Sequence, residues 1–160
     1  MKLTLSDFLK LRSELPVIDV RSQAEFAAGH IPGAFNVPLL NDEERVIVGT
    51  TYKNNGQRAA IMEGFRLVGP RLPEIIRRAE EISSGNEVIV YCWRGGMRSS
   101  NFSNFIGMAG IRSHTLEGGY KTYRRAAIEA FETPIKLVAL TGYTGSGKSE
   151  VLRELVKLGE

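Results

Sequence analysis

Val17, Ile18 and Val20 surround Asp19, and Val88, Ile89, Val90 and Tyr91 follow one another without a polar break. A strand with one wet face alternates apolar and polar residues. These runs do not, so each reads as a strand covered on both faces. A third apolar run occupies residues 135–141. Helical patterns separate the three. Such alternation predicts an α/β fold: a parallel sheet with helices on both faces.

Residues 4–14 carry Leu5, Phe8 and Leu9 at near-helical spacing, with Thr4 or Ser6 as N-cap and Pro16 as stop. Ser22 and Glu25 have the spacing of a capping box, which predicts a short helix to Ala28 closed by Gly29 in a left-handed conformation. Turn chemistry follows over residues 31–34, then a short extended piece over 35–37. Residues 39–70 are less regular. Lys53, Asn54, Asn55 and Gly56 read as a loop, and residues 57–68 as a helix with Ala60, Ile61, Phe65 and Val68 on one side. The pattern sharpens over 70–84, where Leu72, Ile75, Ile76, Ala79 and Ile82 form an apolar stripe. Arg77 and Arg78 lie opposite, interleaved with Glu74, Glu80 and Glu81, as a solvated face. Beyond residue 98, Ser99 is expected to cap a helix to about Ala109, residues 114–116 to form a strand and residues 120–131 a helix.

Cys92 stands between the strand 88–91 and a helix, at the carboxyl edge where open parallel sheets place ligands. The loop Cys92, Trp93, Arg94, Gly95, Gly96, Met97, Arg98 holds two glycines and two arginines. Glycines let successive N–H groups converge as an anion nest, and the next helix turns its positive end to the same point. Arg94 and Arg98 would add charge-assisted bonds with their side chains turned inward. All of these favour a thiolate at Cys92, so the loop is expected to bind an anion beside a nucleophilic sulfur. With one cysteine in 160 residues there is no internal disulfide, and with two histidines no bound metal is expected in this part of the chain.

The chain resembles rhodanese domains on Asp19, Val20 and Arg21, Glu25 and Phe26, the stretch from Gly29 and His30 to Pro38, Cys92, and the turn Leu116, Glu117, Gly118, Gly119 with Tyr123 after it. The resemblance covers about residues 4–131. It implies a rhodanese-like fold over residues 1–132, the persulfide-forming role for Cys92, a structural role for Asp19 and Arg21, and a loop hydrogen bond for His30 rather than general-base work. One feature departs from the family. The common sulfurtransferase loop has four residues between cysteine and arginine. Here five separate Cys92 from Arg98, as in the related dual-specificity phosphatases. The wider nest suits a tetrahedral phosphate-like anion rather than thiosulfate alone.

Near the end, Gly142, Gly145, Gly147, Lys148 and Ser149 complete the pattern G-x-x-x-x-G-K-[ST] between an apolar run and a helical one. Its N–H groups would cradle phosphates, with Lys148 on the terminal ones and Ser149 on Mg²⁺. One strand and one helix cannot bury both faces of a parallel sheet. Residues 133–160 are therefore expected to be the start of an incomplete P-loop domain, and Mg²⁺ to bind only where that domain is complete.

The order rhodanese-like domain then P-loop resembles the tRNA 2-selenouridine synthase family. So do residues 92–99, the insert 48–53 and the stretch 116–125. The resemblance implies a transferase acting on the wobble 2-thiouridine of tRNA, with selenophosphate as selenium donor and geranyl diphosphate as a second substrate for geranylating the thio group. Cys92 would serve the selenium step, Arg94, Arg98 and the loop would hold the phosphate, and the P-loop half would supply the diphosphate and tRNA sites. Residues 1–160 alone are not expected to complete the reaction. A stand-alone thiosulfate-type sulfurtransferase and a phosphatase-like Cys-x5-Arg domain remain the alternatives. Lys121, Arg124 and Arg125 read equally as tRNA contacts or as a solvated helix face. The net charge of +3 permits a nucleic-acid partner without requiring one. No leader-like or membrane-length apolar run occurs, so a cytoplasmic protein without membrane contact is expected; the oligomeric state is not set by the sequence, with a monomer as the expectation.

Overall fold

The structure is a computed structural model that describes residues 1–83, 85–134 and 139–158. It falls into two units, Met1–Glu129 and Ala130–Glu160. In the first, five parallel strands form one sheet in the order β1-β5-β4-β2-β3. They are β1 (Lys2–Leu3), β2 (Val17–Asp19), β3 (Phe35–Asn36), β4 (Glu87–Tyr91) and β5 (Arg112–Leu116). The first two apolar runs are neighbours: Ile18 pairs with Val90 and Asp19 with Tyr91. Ile18, Val88, Ile89 and Val90 have no exposed surface. Their side chains divide between two core clusters, one on each face, as strand alternation requires.

The helices of this unit are α1 (Leu5–Leu11), α2 (Gln23–Ala27), α3 (Asp42–Val68), α4 (Leu72–Ile82), α5 (Met97–Met108) and α6 (Gly119–Glu132), the last running a few residues past the division. Thr4 caps α1 through its side chain. The capping box of Ser22 and Glu25 opens α2 as expected, and Gly29 behind it has φ 148°. On α4, Arg77 pairs with Glu74 and Glu81, and Arg78 with Glu81, so the charged face is locally self-neutralised. His30 bonds the Phe26 carbonyl at 3.0 Å and stacks on the Phe26 ring, the loop role that the resemblance implies.

Two expectations for the first unit need correction. The loop read at Lys53–Gly56 is a kink joining two helical arms of α3: Gly56 takes φ 84° and ψ 179°, which a side chain would strain, and helix continues on both sides. The amino-terminal arm is launched by a capping box of Asn41 and Glu44. Ser99 does not cap α5, because Gly96 occupies that position and Ser99 lies inside the first turn. Strand β1 was not legible, since two residues carry no periodicity. In the second unit, the first four residues of the apolar run at 135–141 lie outside the described residues. Residues 139–141 are not strand, and α7 (Lys148–Leu158) follows the glycine-rich loop.

Asp19 and Arg21 form a fully buried ion pair at the carboxyl end of β2. Arg21 Nε donates to both carboxylate oxygens at 3.0 Å, Nη2 donates to Asp19 Oδ2 at 2.6 Å, and Nη2 also reaches the Gly29 carbonyl at 2.8 Å. The guanidinium lies over the Tyr120 ring at 4.1 Å and near the Tyr91 and Trp93 rings, each at 5.7 Å. These faces compensate a cation whose Nη1 finds no acceptor among the described residues. Removing one partner of such a pair leaves a buried charge uncompensated. Arg21→Met is therefore expected to cost about 3–5 kcal/mol in urea unfolding, with part recovered when Asp19→Leu is added. A single-variant loss below about 1 kcal/mol would show that the pair is not the tie described.

Candidate functional site

Cys92 follows β4 directly, so the sheet fixes its backbone, and the turn into α5 wraps the loop around its sulfur. It is buried. Burial pushes the thiol up. The Ser99 hydroxyl and the backbone N–H groups of Ser99, Arg94 and Gly96 overrule burial and hold it below its ordinary value. Cys92 Sγ lies 3.3 Å from Ser99 Oγ. That hydroxyl also reaches the Gly96 carbonyl at 3.0 Å, and it owns one proton. With a thiol, the proton goes to Gly96 and the S–H can donate to Ser99. With a thiolate, the hydroxyl turns its proton to sulfur.

The loop is buttressed from outside. Tyr120 N–H donates to the Cys92 carbonyl at 2.9 Å, and Lys121 N–H to the Trp93 carbonyl at 3.0 Å. Gly119, at φ 59°, permits this approach: a Cβ there would overlap the Cys92 carbonyl oxygen and crowd the N–H groups of Gly95 and Arg94. The turn Leu116–Gly119 thus serves the cysteine loop across 24 residues or more of sequence, because β5 lies beside β4. Trp93 is half-buried against Tyr120, ring centroids 5.7 Å apart.

The arginines are placed differently from expectation. Arg98 does not turn inward: Nη1 donates to Glu25 Oε2 at 2.6 Å and Nη2 to Oε1 at 3.2 Å. Arg45 pairs with the same carboxylate at 3.0 Å. Burial pushes the Glu25 carboxyl up, but Arg98 and Arg45 more than offset it and hold the group below the usual carboxylate range. Arg94 is exposed, and what it gives the sulfur is its backbone N–H. The nest is therefore made of peptide dipoles and one hydroxyl. Ser99 and Glu25 were not recognised from sequence as site residues. A hydroxyl next to Arg98 in the first turn of a helix was the available signal for Ser99. Nothing local signals Glu25, which is 73 residues from Arg98.

In the second unit, Gly142, Gly145 and Gly147 have φ of 153°, 83° and 79°, and Lys148 opens α7 with Ser149 in its first turn. Lys148 Nζ bonds the carbonyls of Gly142 at 2.7 Å and Tyr143 at 2.6 Å, so the ammonium closes the loop upon itself. Arg125 on α6 pairs with Glu129, both largely exposed. Among the described residues, no helix is long and apolar enough to cross a membrane.

Two outcomes follow from the sulfur's environment. The thiolate of Cys92, followed by its ultraviolet absorbance, is expected to form with a midpoint below the free-cysteine value of about 8.5 and to persist as pH rises. Ser99→Ala, which removes the hydroxyl while keeping the loop, moves that midpoint upward; an unchanged midpoint would show that the backbone alone holds the sulfur. Gly119→Ala is expected to destabilise the fold by about 2 kcal/mol or more in urea unfolding, through the clash with the Cys92 carbonyl.

Residues 4–126 match the family model described as Rhodanese-like domain. The chain is 40% identical over 148 residues to a tRNA 2-selenouridine synthase of Nitrosomonas europaea, covering 89% of this chain and 38% of that protein. It is 41% identical over 162 residues to one of Pseudomonas fluorescens, covering 97% and 44%. The chain thus spans about two fifths of the length of the curated relatives it matches. Among solved structures, the N-terminal domain of a putative ATP/GTP binding protein from Clostridium difficile superposes with a TM-score of 0.73 at 36% identity, covering 80% of this chain and 99% of that one. With the parallel sheet, the cysteine loop on β4 and the buttressing Gly118–Gly119 turn in place, the chain belongs to the rhodanese-like domain family.

Proposed function

We propose that this chain forms the selenium-transferring part of a tRNA 2-selenouridine synthase, acting on the wobble 2-thiouridine of tRNA in the cytoplasm. The observation that carries the reading is a single cysteine held toward its thiolate by Ser99 and three loop N–H groups, in a chain about 40% identical to proteins of that name. In this reading Cys92 stands beside selenophosphate, a tetrahedral anion, and serves the transfer of its selenide-level selenium to the base; no sulfur–selenium bond forms, since that would need a two-electron oxidant. The N–H groups of Arg94, Gly96 and Ser99 serve whichever anion the site holds, sulfur or oxygen. Because Arg98 is bound to Glu25, the loop relies on peptide dipoles for this task, and Arg98 contributes only if it exchanges Glu25 for the donor. Geranylation of the thio group by geranyl diphosphate belongs to the same reading. The loop of Gly142, Gly145, Gly147, Lys148 and Ser149 would supply the diphosphate site, with Mg²⁺ where the rest of that domain is present.

The test is selenouridine formation in thiolated tRNA supplied with selenophosphate, using protein that contains this chain. Cys92→Ser is expected to lower the rate by about a hundredfold or more while binding tRNA unchanged. A Cys92→Ser protein that forms selenouridine at the normal rate would sink the reading. Thiosulfate–cyanide turnover or aryl phosphate hydrolysis, with no selenation, would favour the sulfurtransferase or phosphatase alternative.

A further inference from the structure

Glu25 faces more positive charge than one carboxylate needs. Arg98 grips it with a fork of two bonds, at 2.6 Å to Oε2 and 3.2 Å to Oε1. Such a fork answers a carboxylate in full. Yet Arg45 Nε stands 3.0 Å from the same Oε2, and the Ser22 N–H donates to it at 3.3 Å. Two guanidiniums on one carboxylate repel each other, so the second adds little to a pair already closed. A tie between α2 and α5 needs Arg98 alone.

The two arginines are attached differently. Arg45 lies near the start of α3, which is fastened to the start of α2: the Ala24 N–H donates to both Asp42 oxygens, at 3.0 and 3.2 Å. That fastening keeps Arg45 beside Glu25. Arg98 comes from the cysteine loop. It lies between Gly96 and Ser99, whose N–H groups both support the sulfur, so its Cα stands at the rim of the nest. Arg98 and Arg45 both line the cavity between the two arms of α3, so either side chain rotates into open space instead of packed core.

This difference decides what happens when a ligand competes for Arg98. Were Arg98 the sole partner, its departure would strand a carboxylate whose side chain is only 14% exposed. With Arg45 and the Ser22 N–H already in place, Glu25 keeps a cation and a donor. The surplus positive charge of the cluster then moves to the nest, where peptide N–H groups already converge. A monoanion offers Arg98 no more charge than Glu25 does. A dianion offers twice as much.

We propose that Glu25 and Arg45 are positioning residues that make Arg98 exchangeable: Glu25 holds Arg98 outside the loop, and Arg45 takes over Glu25 when a tetrahedral dianion draws Arg98 to the nest beside Cys92. The proposal rests on the reading of this loop as an anion site, and it does not require the anion to carry selenium.

The probe is sulfate, added to the whole chain at fixed pH with ionic strength held constant by sodium chloride. Binding is followed by nuclear magnetic resonance of the Gly95 and Gly96 amides, and exchange by the Arg98 Nε resonance. Sulfate is expected to move all three. Glu25→Gln, which keeps a capping residue at that position, should tighten sulfate by about three- to tenfold. Arg45→Gln should weaken it by about three- to tenfold, with Arg45→Lys within about twofold of the parent. Once Glu25→Gln is present, adding Arg45→Gln should change the affinity by less than about twofold, because no carboxylate remains to be answered. A general effect of surface charge gives the same Arg45→Gln loss in both backgrounds, and equal losses would overturn the proposal. It is equally overturned if Arg98 Nε does not move at saturating sulfate, if Arg45→Lys binds as poorly as Arg45→Gln, or if neither the parent nor Glu25→Gln binds sulfate. Binding by Glu25→Gln with none by the parent supports it. If Glu25→Gln melts early, Arg45→Gln decides: its Arg98 resonance should stay in place at sulfate concentrations that move it in the parent. Equal losses beside Cys92-dependent selenouridine formation would sink the exchange and keep the selenium reading, and exchange without selenation would do the reverse.

Discussion

A single buried cation governs the carboxyl edge of the sheet. Arg21 has no exposed surface, and its charge is answered from five segments at once: Asp19 on β2, the Gly29 carbonyl after α2, Tyr91 on β4, Trp93 in the cysteine loop and Tyr120 on α6. A buried guanidinium tolerates little rearrangement, because moving any of these groups leaves charge in a poor environment. The pair therefore holds the Gly29–Pro38 stretch, the Trp93 end of the loop and the start of α6 against one another. Gly119 then lets α6 approach closely enough for its first N–H groups to hold the loop carbonyls. The position of the Cys92 sulfur is an outcome of that assembly.

The sulfur is made acidic by dipoles and not by neighbouring charges. Desolvation opposes the thiolate, and three peptide N–H groups and the Ser99 hydroxyl outweigh it. The nearest loop arginine with a fixed partner, Arg98, spends its charge on Glu25. A site built this way answers the charge of the thiolate with neutral donors, so no counter-ion has to be displaced from the sulfur. Glu25 in turn holds Arg98 and Arg45 together, which places both at the wall of the α3 cavity. One carboxylate thereby links the first turn of α5 to the first arm of α3.

Several elements were legible because their causes are local. The two apolar runs gave β2 and β4 as strands buried on both faces, and Ser22 with Glu25 gave the start of α2. The amphipathic stripe of α4 and the loop hydrogen bond of His30 were readable for the same reason. The kink of α3 was not. Asn54, Asn55 and Gly56 are turn residues, and only packing of both arms decides that they join helices instead of ending one. Ser99 showed the same ambiguity: a serine after a loop reads as a cap, yet the N-cap of α5 lies three residues earlier, at Gly96, and the Ser99 hydroxyl lies beside the sulfur.

By itself, the sequence determined the parallel α/β layering, the lone cysteine at the end of a buried strand, and a glycine-bearing loop able to turn its N–H groups to one point. These depend on side-chain periodicity and backbone freedom within a few residues. Only the tertiary structure decided where the charges of that loop go. Glu25 and Arg98 meet because β2 and β4 are adjacent in the sheet, which sets the start of α2 beside the start of α5. Strand order is a property of the whole core, and no short-range pattern encodes which carboxylate it will bring to which arginine.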